Sequence, residues 1–459
     1  VRFLGAEDED EGLEGGASMS DAATQPAELP KGEFWTPEKE QAEKGDFVPD
    51  PYDIPLEEIN PLNAHLFEQH RWRDYFKRLR KEDPVHFNEL KTAGRYWSLT
   101  RYEDIKAVDI DFETFSSAHG ITLGFPIDAA PPEGALQIGK PPFISQDPPT
   151  HSPQRLTVSG VVAPGNLQNL EPLIRERTCQ VLDSLPENET FDWVDTVSIE
   201  LTTMMLATLF DFPFEDRRKL TRWSDVVFAI PQPGGVVESM VQKRDELLEC
   251  VAYFSQLWEE RRKNPGDDLV SMLVHGEATK DSSPADHLGN LLLLIVGGND
   301  TTRNTMSGSV YGLNKFPEQY DKLVANPALM PKMVAEIIRW QTPLSYMRRT
   351  ANHDTIVGGK KILKGDQVLM WYLSGNRDEE VFDNADVIDI ERPNVRQHLA
   401  FGFGIHRCMG NRLAELQLRV LWEEVLERFE RIQVMGEPER TFSSFVNGYT
   451  HLPVQVRRK

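Results

Sequence analysis

The chain has 459 residues and a mass of 52.3 kDa, long enough to bury a large core without disulfide or metal staples. Its 39% apolar and 27% charged residues exclude a collagen-like, low-complexity or wholly disordered polymer. A formal net charge of −23, only three cysteines (Cys179, Cys250, Cys408) and apolar runs far short of the ~20 residues a bilayer requires speak against a nucleic-acid binder, a disulfide scaffold and a transmembrane chain.

Residues 1–50 read as an acidic, disordered tail. Glu7–Glu11 is a continuous acidic block, followed by scattered Gly, Ser, Ala and Pro, a composition that cannot offset the entropy of ordering. The acidic start is neither a signal nor a transit peptide, so a soluble, cytoplasmic protein is expected, and Met19 is a candidate natural start. Residues 51–459 read as one domain. His65–Lys81 has a helical period carried by Leu66, Trp72, Tyr75, Phe76 and Leu79. Val85–Phe87 and Tyr96–Thr100 read as two strands with Gly94 between them. His119–Pro149 is rich in Pro and Gly and long for a loop, which suits a lid or binding segment. Helices are expected at Leu170–Ser184, Ser198–Leu209, Glu238–Lys263, Ala285–Asn314 and Asn411–Phe429, with a small sheet near Asp354–Leu373, where the period changes to two. The fold class is mostly α with a minor β-sheet region, in one large domain.

Phe401-Gly402-Phe403-Gly404-Ile405-His406-Arg407-Cys408-Met409-Gly410 opens onto the last helix. Gly402 and Gly404 permit turns that other residues resist, so this backbone can approach something flat and large. Cys408 precedes a helix N-terminus, whose free amides lower a thiol pKa from ~8.5 and let a thiolate ligate metal. A dinucleotide loop is rejected, because the third glycine is missing at Arg407 and no parallel strand–helix unit surrounds it.

Leu291–Ser307 reads as a buried helix interrupted by Gly297-Gly298. Each glycine costs about 1 kcal/mol against alanine in a helix. Close approach of a cofactor would supply a reason. So would a local break, made by the Thr301 hydroxyl bonding the carbonyl of Gly298 or Gly297. Asp300 places an ionisable group beside it. In Glu336-Ile337-Ile338-Arg339 the spacing of three puts both charges on one helix face, and the apolar flanks favour a buried pair.

The cysteine segment matches Phe-Gly-x-Gly-x-His-x-Cys-x-Gly in full and resembles the haem-binding loop of the cytochrome P450 family. The resemblance extends from Tyr52 to Val456. It implies the P450 fold and a b-type haem (iron protoporphyrin IX, heme b) with Cys408 as its axial thiolate. It also implies O2 as co-substrate and electrons from NAD(P)H through redox partners. Thiolate ligation favours O–O cleavage. Thr301 and Asp300 match the family's oxygen-activation motif and would deliver protons. Phe401, Gly402, Gly410 and Gly298 would border the cofactor. Asp147–Arg155 resembles the family's Asp-Pro-Pro-x-His-x-x-x-Arg stretch, so His151, Arg155, Arg349 and His406 would hold the two propionates by charge-assisted bonds. Glu336, Arg339 and Arg392 would form a structural buried cluster.

The longer context resembles the soluble bacterial branch that hydroxylates terminal carbons of alkanes and fatty acids. Leu294, Val296, Gly297, Leu344, Ser345, Tyr346, Met347, Phe445 and Val446 match substrate-lining positions and are mostly apolar or small. A C8 chain gains roughly 6 kcal/mol on transfer, at about 0.8 kcal/mol per methylene. The chain has no flavin or iron–sulfur motif, so the resemblance implies ferredoxin and ferredoxin reductase as partners, docking near Arg407 and Arg412, and a monomer is expected. The rival readings are hydroxylation of terpenoid, steroid or macrolide substrates, a non-catalytic haem sensor or carrier, and peroxide-driven catalysis. Intact Asp300-Thr301 disfavours the last two.

Overall fold

The structure is a computed structural model and describes residues 47–123 and 139–459. The expected acidic tail, up to residue 46, and the centre of the Pro/Gly-rich segment, 124–138, lie outside these residues. The chain is anchored slightly ahead of the expected boundary. Val48 is buried, and the Tyr75 hydroxyl donates to the Pro49 carbonyl at 2.8 Å.

The helical period over His65–Lys81 belongs to two helices, α1 (Ala64–Glu68) and α2 (Trp72–Glu82). His70 at φ 56° separates them, with the Arg71 amide reaching back to the Leu66 carbonyl at 2.7 Å. A left-handed residue followed by such a bond ends a helix whatever the apolar period says. The hairpin β1 (Val85–Leu90) and β2 (Gly94–Leu99) follows, then α3 (Tyr102–Ile110) and β3 (Phe115–Ser116). Next come α4 (His151–Ser159), α5 (Pro164–Asp183) and β4 (Phe191–Asp192). A π-helical turn, Val194–Ile199, leads into α6 (Glu200–Phe210), so the expected helix from Ser198 starts wound differently. The helices α7 (Arg218–Phe228), α8 (Met240–Lys263), α9 (Leu269–His275), α10 (Pro284–Lys315), α11 (Pro317–Ala325) and α12 (Met330–Gln341) complete the helical body.

The period-two region expected over Asp354–Leu373 resolves into β6 (Thr355–Val357), β7 (Lys360–Ile362) and β8 (Gln367–Met370); β5 (Met347–Ala351) precedes it unexpected, and its last two residues open the short α13 (Tyr372–Gly375). After α14 (Asn411–Arg428) come β9 (Phe429–Val434), β10 (Glu439–Arg440), β11 (Tyr449–His451) and β12 (Pro453–Arg458). The main sheet has the order β1-β2-β8-β5-β3, with β2 and β8 parallel. The two strand regions seen separately in the sequence thus pair with each other.

The 32-residue α10 runs unbroken from a capping box made by Ser283 and Asp286. The break expected at Gly297-Gly298 is therefore absent. Leu291, Leu292 and Ile295 of α10 share one apolar cluster with Leu413 and Leu416 of α14, against which Met409 also packs. This brings α10 beside the loop that carries Cys408.

Candidate active site around Cys408

The loop is closed by the Cys408 amide donating to the Phe401 carbonyl at 2.7 Å and the Gly402 amide donating to Leu399 at 2.7 Å. Phe401 itself is half-buried, its ring 5.2 Å from that of His398. Gly402 and Gly404 adopt φ 64° and 67°. A Cβ on Gly404 would stand 2.7 Å from the Asp109 carbonyl, and one on Gly402 3.1 Å from the Asp109 carboxylate. The approach that requires these glycines is therefore to the end of α3. The expectation for Gly402 as a cofactor contact gains no support from this approach. Gly410 fits that expectation better: among the described residues no atom lies within 4 Å of where its Cβ would be.

Cys408 keeps exposed surface although protein surrounds it. The amides of Gly410 and Asn411 and the charges of Arg155 and Arg407 favour its thiolate. Burial outweighs them and pushes the thiol up, although the helix start acts in the expected, lowering direction.

The four expected carboxylate-binding residues come together. The His151 and His406 rings are 4.3 Å apart, edge to face. Arg155 and Arg349 are close enough to depress both histidines, His406 to about 2, although burial is the larger cause. His151 Nε2 and both ring nitrogens of His406 are buried without a hydrogen-bond partner among the described residues. Arg155 also donates to the Arg407 carbonyl, tying α4 to the loop. Arg349 additionally pairs with Asp109 at 2.8 Å. Arg348, its neighbour on β5, donates instead to the Gly120 carbonyl and the Gln367 side chain.

On α10 the residues Leu294, Gly297 and Thr301 keep exposed surface and recur at three to four positions, which is one helical stripe. No described atom lies within 4 Å of a Cβ placed on Gly297, whereas one on Gly298 would meet Leu206 at 2.6 Å. Gly298 thus packs its Cα face against α6, and Gly297 is the more open position. The Thr301 hydroxyl donates to the Gly297 carbonyl at 2.8 Å. Asp300 is buried on another side of the helix. It accepts from Ser224 at 2.9 Å and pairs with Arg303, which also meets Asp225. The structure therefore does not join the Asp300 carboxylate to the Thr301 hydroxyl.

Glu336, Arg339 and Arg392 form the expected buried cluster. Glu336 accepts from Arg339 at 2.7 and 2.8 Å and from Arg392 at 3.1 and 3.2 Å. Arg339 also donates to the carbonyls of Asn376, Ala385 and Val387, stitching α12 to the chain before the loop.

The substrate-lining expectations divide. Leu294, Gly297, Leu344 and Met347 retain exposed surface; Val296, Phe445 and Val446 have almost none. Ser345 and Tyr346 are fully buried, which gives their assignment no support. Tyr346 is wedged between Trp371 and Phe445, with ring centroids at 4.6 and 5.3 Å. Phe228, the last residue of α7, meets Phe445 at 4.9 Å and was missed by sequence reasoning. So was Asp109, whose signal is an acid adjoining Ile105 and Val108 in the buried part of α3.

An accessible thiol, two glycine-cleared surfaces, and a histidine–arginine cluster with unused buried nitrogens fit a flat, iron-bearing dicarboxylate. Among the described residues no helix is long and apolar enough to cross a membrane. The family model described as Cytochrome P450 matches residues 61–453. Linalool 8-monooxygenase of Pseudomonas putida is 36% identical over 404 residues, 87% of this chain and 99% of the relative. The methyl-branched lipid omega-hydroxylase of Mycobacterium tuberculosis is 33% identical over 422 residues, 88% of this chain and 96% of the relative. Among solved structures, cytochrome P450-153 from Novosphingobium aromaticivorans is 45% identical with a TM-score of 0.80, covering 87% of this chain and 99% of its own. CYP153D17 from Sphingomonas sp. PAMC 26605 is 49% identical with a TM-score of 0.80, covering 86% and 98%.

Proposed function

The chain belongs to the cytochrome P450 family and is a haem-thiolate monooxygenase, and on that premise we propose that it hydroxylates linear aliphatic chains at the terminal carbon, as in medium-chain alkanes or fatty acids. Bound at Cys408, the haem supplies the dioxygen activation that inserts one oxygen atom into a C–H bond, with electrons from NAD(P)H through redox partners. His151, Arg155, Arg349 and His406 bind its two carboxylates. The Gly410 and Asn411 amides temper the Cys408 thiolate. Gly297 leaves room on α10. Thr301 holds a hydroxyl proton on the open stripe. Asp300, pushed up to about 6 chiefly by burial, carries protons inward from the side of Arg303 and Asp225.

The observation that carries the linear-chain reading is the make-up of the exposed wall. Leu294, Gly297, Leu344 and Met347 offer no charge, and Thr301 offers one hydroxyl. Side chains of this kind bind chiefly through apolar transfer. Terminal C–H bonds are stronger than internal ones, so terminal attack requires sterics to override reactivity. The Phe228–Phe445 contact is suited to restrict one edge of the site. The mycobacterial relative's name, a lipid omega-hydroxylase, supports the same outcome. A terpenoid substrate is the second reading, favoured by the relative named linalool 8-monooxygenase.

The proposed electron donor is a ferredoxin with its reductase. Arg407 and Arg412 are exposed beside Cys408, and Leu156, 73% exposed, follows Arg155 on α4. Exposed basic side chains beside the thiol on an otherwise acidic protein suit a small acidic partner.

The test is a spin-state titration with octane, dodecanoic acid and linalool, followed by chromatography of turnover products. Terminal alcohols of octane or dodecanoic acid are expected. Turnover of linalool with neither linear chain oxidised would overturn the linear-chain reading.

A further inference from the structure

Asp109 stands in the second-to-last position of α3 and is only 2% exposed. Its carboxylate is fully used. One oxygen accepts from Arg349 at 2.8 Å; the other accepts from the Tyr372 hydroxyl at 2.8 Å and from the Phe403 amide at 2.7 Å. Those three donors lie on β5, on α13 and in the loop that ends at Cys408. Its backbone is engaged as well, since the positive-φ Gly404 packs against the Asp109 carbonyl where no Cβ would fit.

An isolated buried carboxylate is expensive, and an apolar residue would fill this slot of α3 at lower cost. The acid therefore needs a reason beyond packing. Arg349 supplies one. Among the described residues Arg349 has one other hydrogen bond, to the Arg348 carbonyl at 3.0 Å, and Asp109 is its one carboxylate partner. Arg349 is also close enough to His406 and His151 to depress both. One side chain thus fixes the orientation of a cofactor-facing arginine, offsets its charge, and clamps the loop that presents the thiolate.

We infer that Asp109 is a positioning residue of the haem site, setting through Arg349 and the Phe403 amide both the hold on the haem and its reduction potential. This rests on the haem-thiolate reading of the site. Asp109→Asn keeps the size and an acceptor for the Phe403 amide but removes the charge. Arg349 then stands uncompensated beside the cofactor, and positive charge there favours the reduced, less positive iron. The midpoint potential shifts to more positive values. In an Arg349→Gln background the same change produces a much smaller shift, because the two residues act as a pair. Asp109→Leu, which also abandons the Phe403 amide, releases haem several-fold faster.

The experiment measures the potential by spectroelectrochemistry on haem-loaded wild type, D109N, R349Q and the double variant, and haem loss by transfer to apomyoglobin. A folded, haem-loaded D109N with the wild-type potential overturns the inference. So does a full-size shift in the R349Q background. If D109N does not load haem, Tyr372→Phe decides. It removes one donor, leaves the carboxylate less offset, and moves the potential to more negative values; no shift there also overturns the inference. Wild-type protein that binds no haem fails the underlying reading instead, so the two failures are distinguishable.

Discussion

The Arg303 guanidinium lies 2.7 Å from the Asp300 carboxylate, one turn further along α10. The same nitrogen meets Asp225 of α7, which is partly exposed, while Ser224 holds the second Asp300 oxygen at 2.9 Å. Asp225 therefore competes with Asp300 for one charge. Asp225→Asn leaves that charge to Asp300, pairs the acid more firmly with Arg303 of its own helix and, on the proposed relay, slows proton delivery. The expected outcome is a fall in kcat of about fivefold, corresponding to ~1 kcal/mol of added barrier, with a larger solvent isotope effect and unchanged substrate binding. Turnover in H2O and D2O, beside a spin-state titration, checks it. Identical isotope effects in both proteins count against the competition.

Thr301 has a different position and a different consequence. Its hydroxyl lies on the open stripe and is held by the Gly297 carbonyl at 2.8 Å. Thr301→Ala removes the hydroxyl proposed to supply protons and, with it, one bond to the Gly297 carbonyl. NADH consumption should persist while most reducing equivalents appear as hydrogen peroxide. Peroxide and product assays on one reaction mixture give the coupling ratio, and wild-type coupling in the variant refutes the role.

Much of this site was legible in the sequence because its residues sit in short runs with strong chemistry. Cys408 with its glycines, Thr301 beside Asp300, and Glu336 three before Arg339 each occupy one segment. What was illegible depends on distant pairing. Nothing local to Gly402 or Gly404 says that α3 passes beneath them, so the approach to Asp109 that requires both glycines was invisible. Gly297 and Gly298 are adjacent, yet only the rotation of α10 against Leu206 decides which one is open. Tyr346 lies between two partly exposed neighbours of the wall but turns into Trp371 and Phe445. In the fold, the apolar period of α1 and α2 is continuous across His70, and a backbone torsion, which the period does not encode, divides it.

The Glu336 cluster gives a stability prediction. Both Glu336 and Arg339 are fully buried, and Arg392 nearly so. Glu336→Gln leaves two guanidinium groups sharing a neutral amide, which is the expensive way to break a buried ion pair, at about 3–5 kcal/mol. Arg339 also holds three carbonyls of the chain ahead of the loop, so the loss propagates toward Cys408. The variant should be recovered mainly without haem, as read by the ratio of Soret to protein absorbance. Arg339→Lys fares little better, because a single ammonium cannot reproduce the fork.

Charge reversal on the basic rim tests the electron-entry face. Arg407 and Arg412 are exposed, and neither lies on the open stripe of α10. The double change to glutamate should slow the first reduction by ferredoxin roughly tenfold or more at low salt, with the difference shrinking as ions screen the encounter. Stopped-flow reduction across ionic strength reads it, alongside spin-state titration as the control for an intact pocket. A rate that is unchanged at low salt places the docking face elsewhere.

His287 provides a pH prediction away from the chemistry. It is buried at the start of α10 and stacks on Trp258 of α8, with ring centroids 3.8 Å apart. Burial lowers it to about 4, against Asp286 and the backbone groups of Thr279 and Ser282, which favour the charged ring; Lys140 acts in the same direction as burial. The unfolded ring titrates near 6.5, so between pH 6.5 and 4 the unfolded chain binds a proton that the folded one does not. Stability is therefore unaffected by this group above pH 7 and falls as the pH drops through that window, by up to about 3 kcal/mol. His287→Phe keeps the stacking surface and removes the titration. Denaturant unfolding from pH 7.5 to 4 should show the variant gaining on wild type only below pH 6.5, most of the gain complete by pH 4.5. A constant difference across that range would mean that the folded ring takes up its proton at the same pH as the unfolded one, and would refute the lowering.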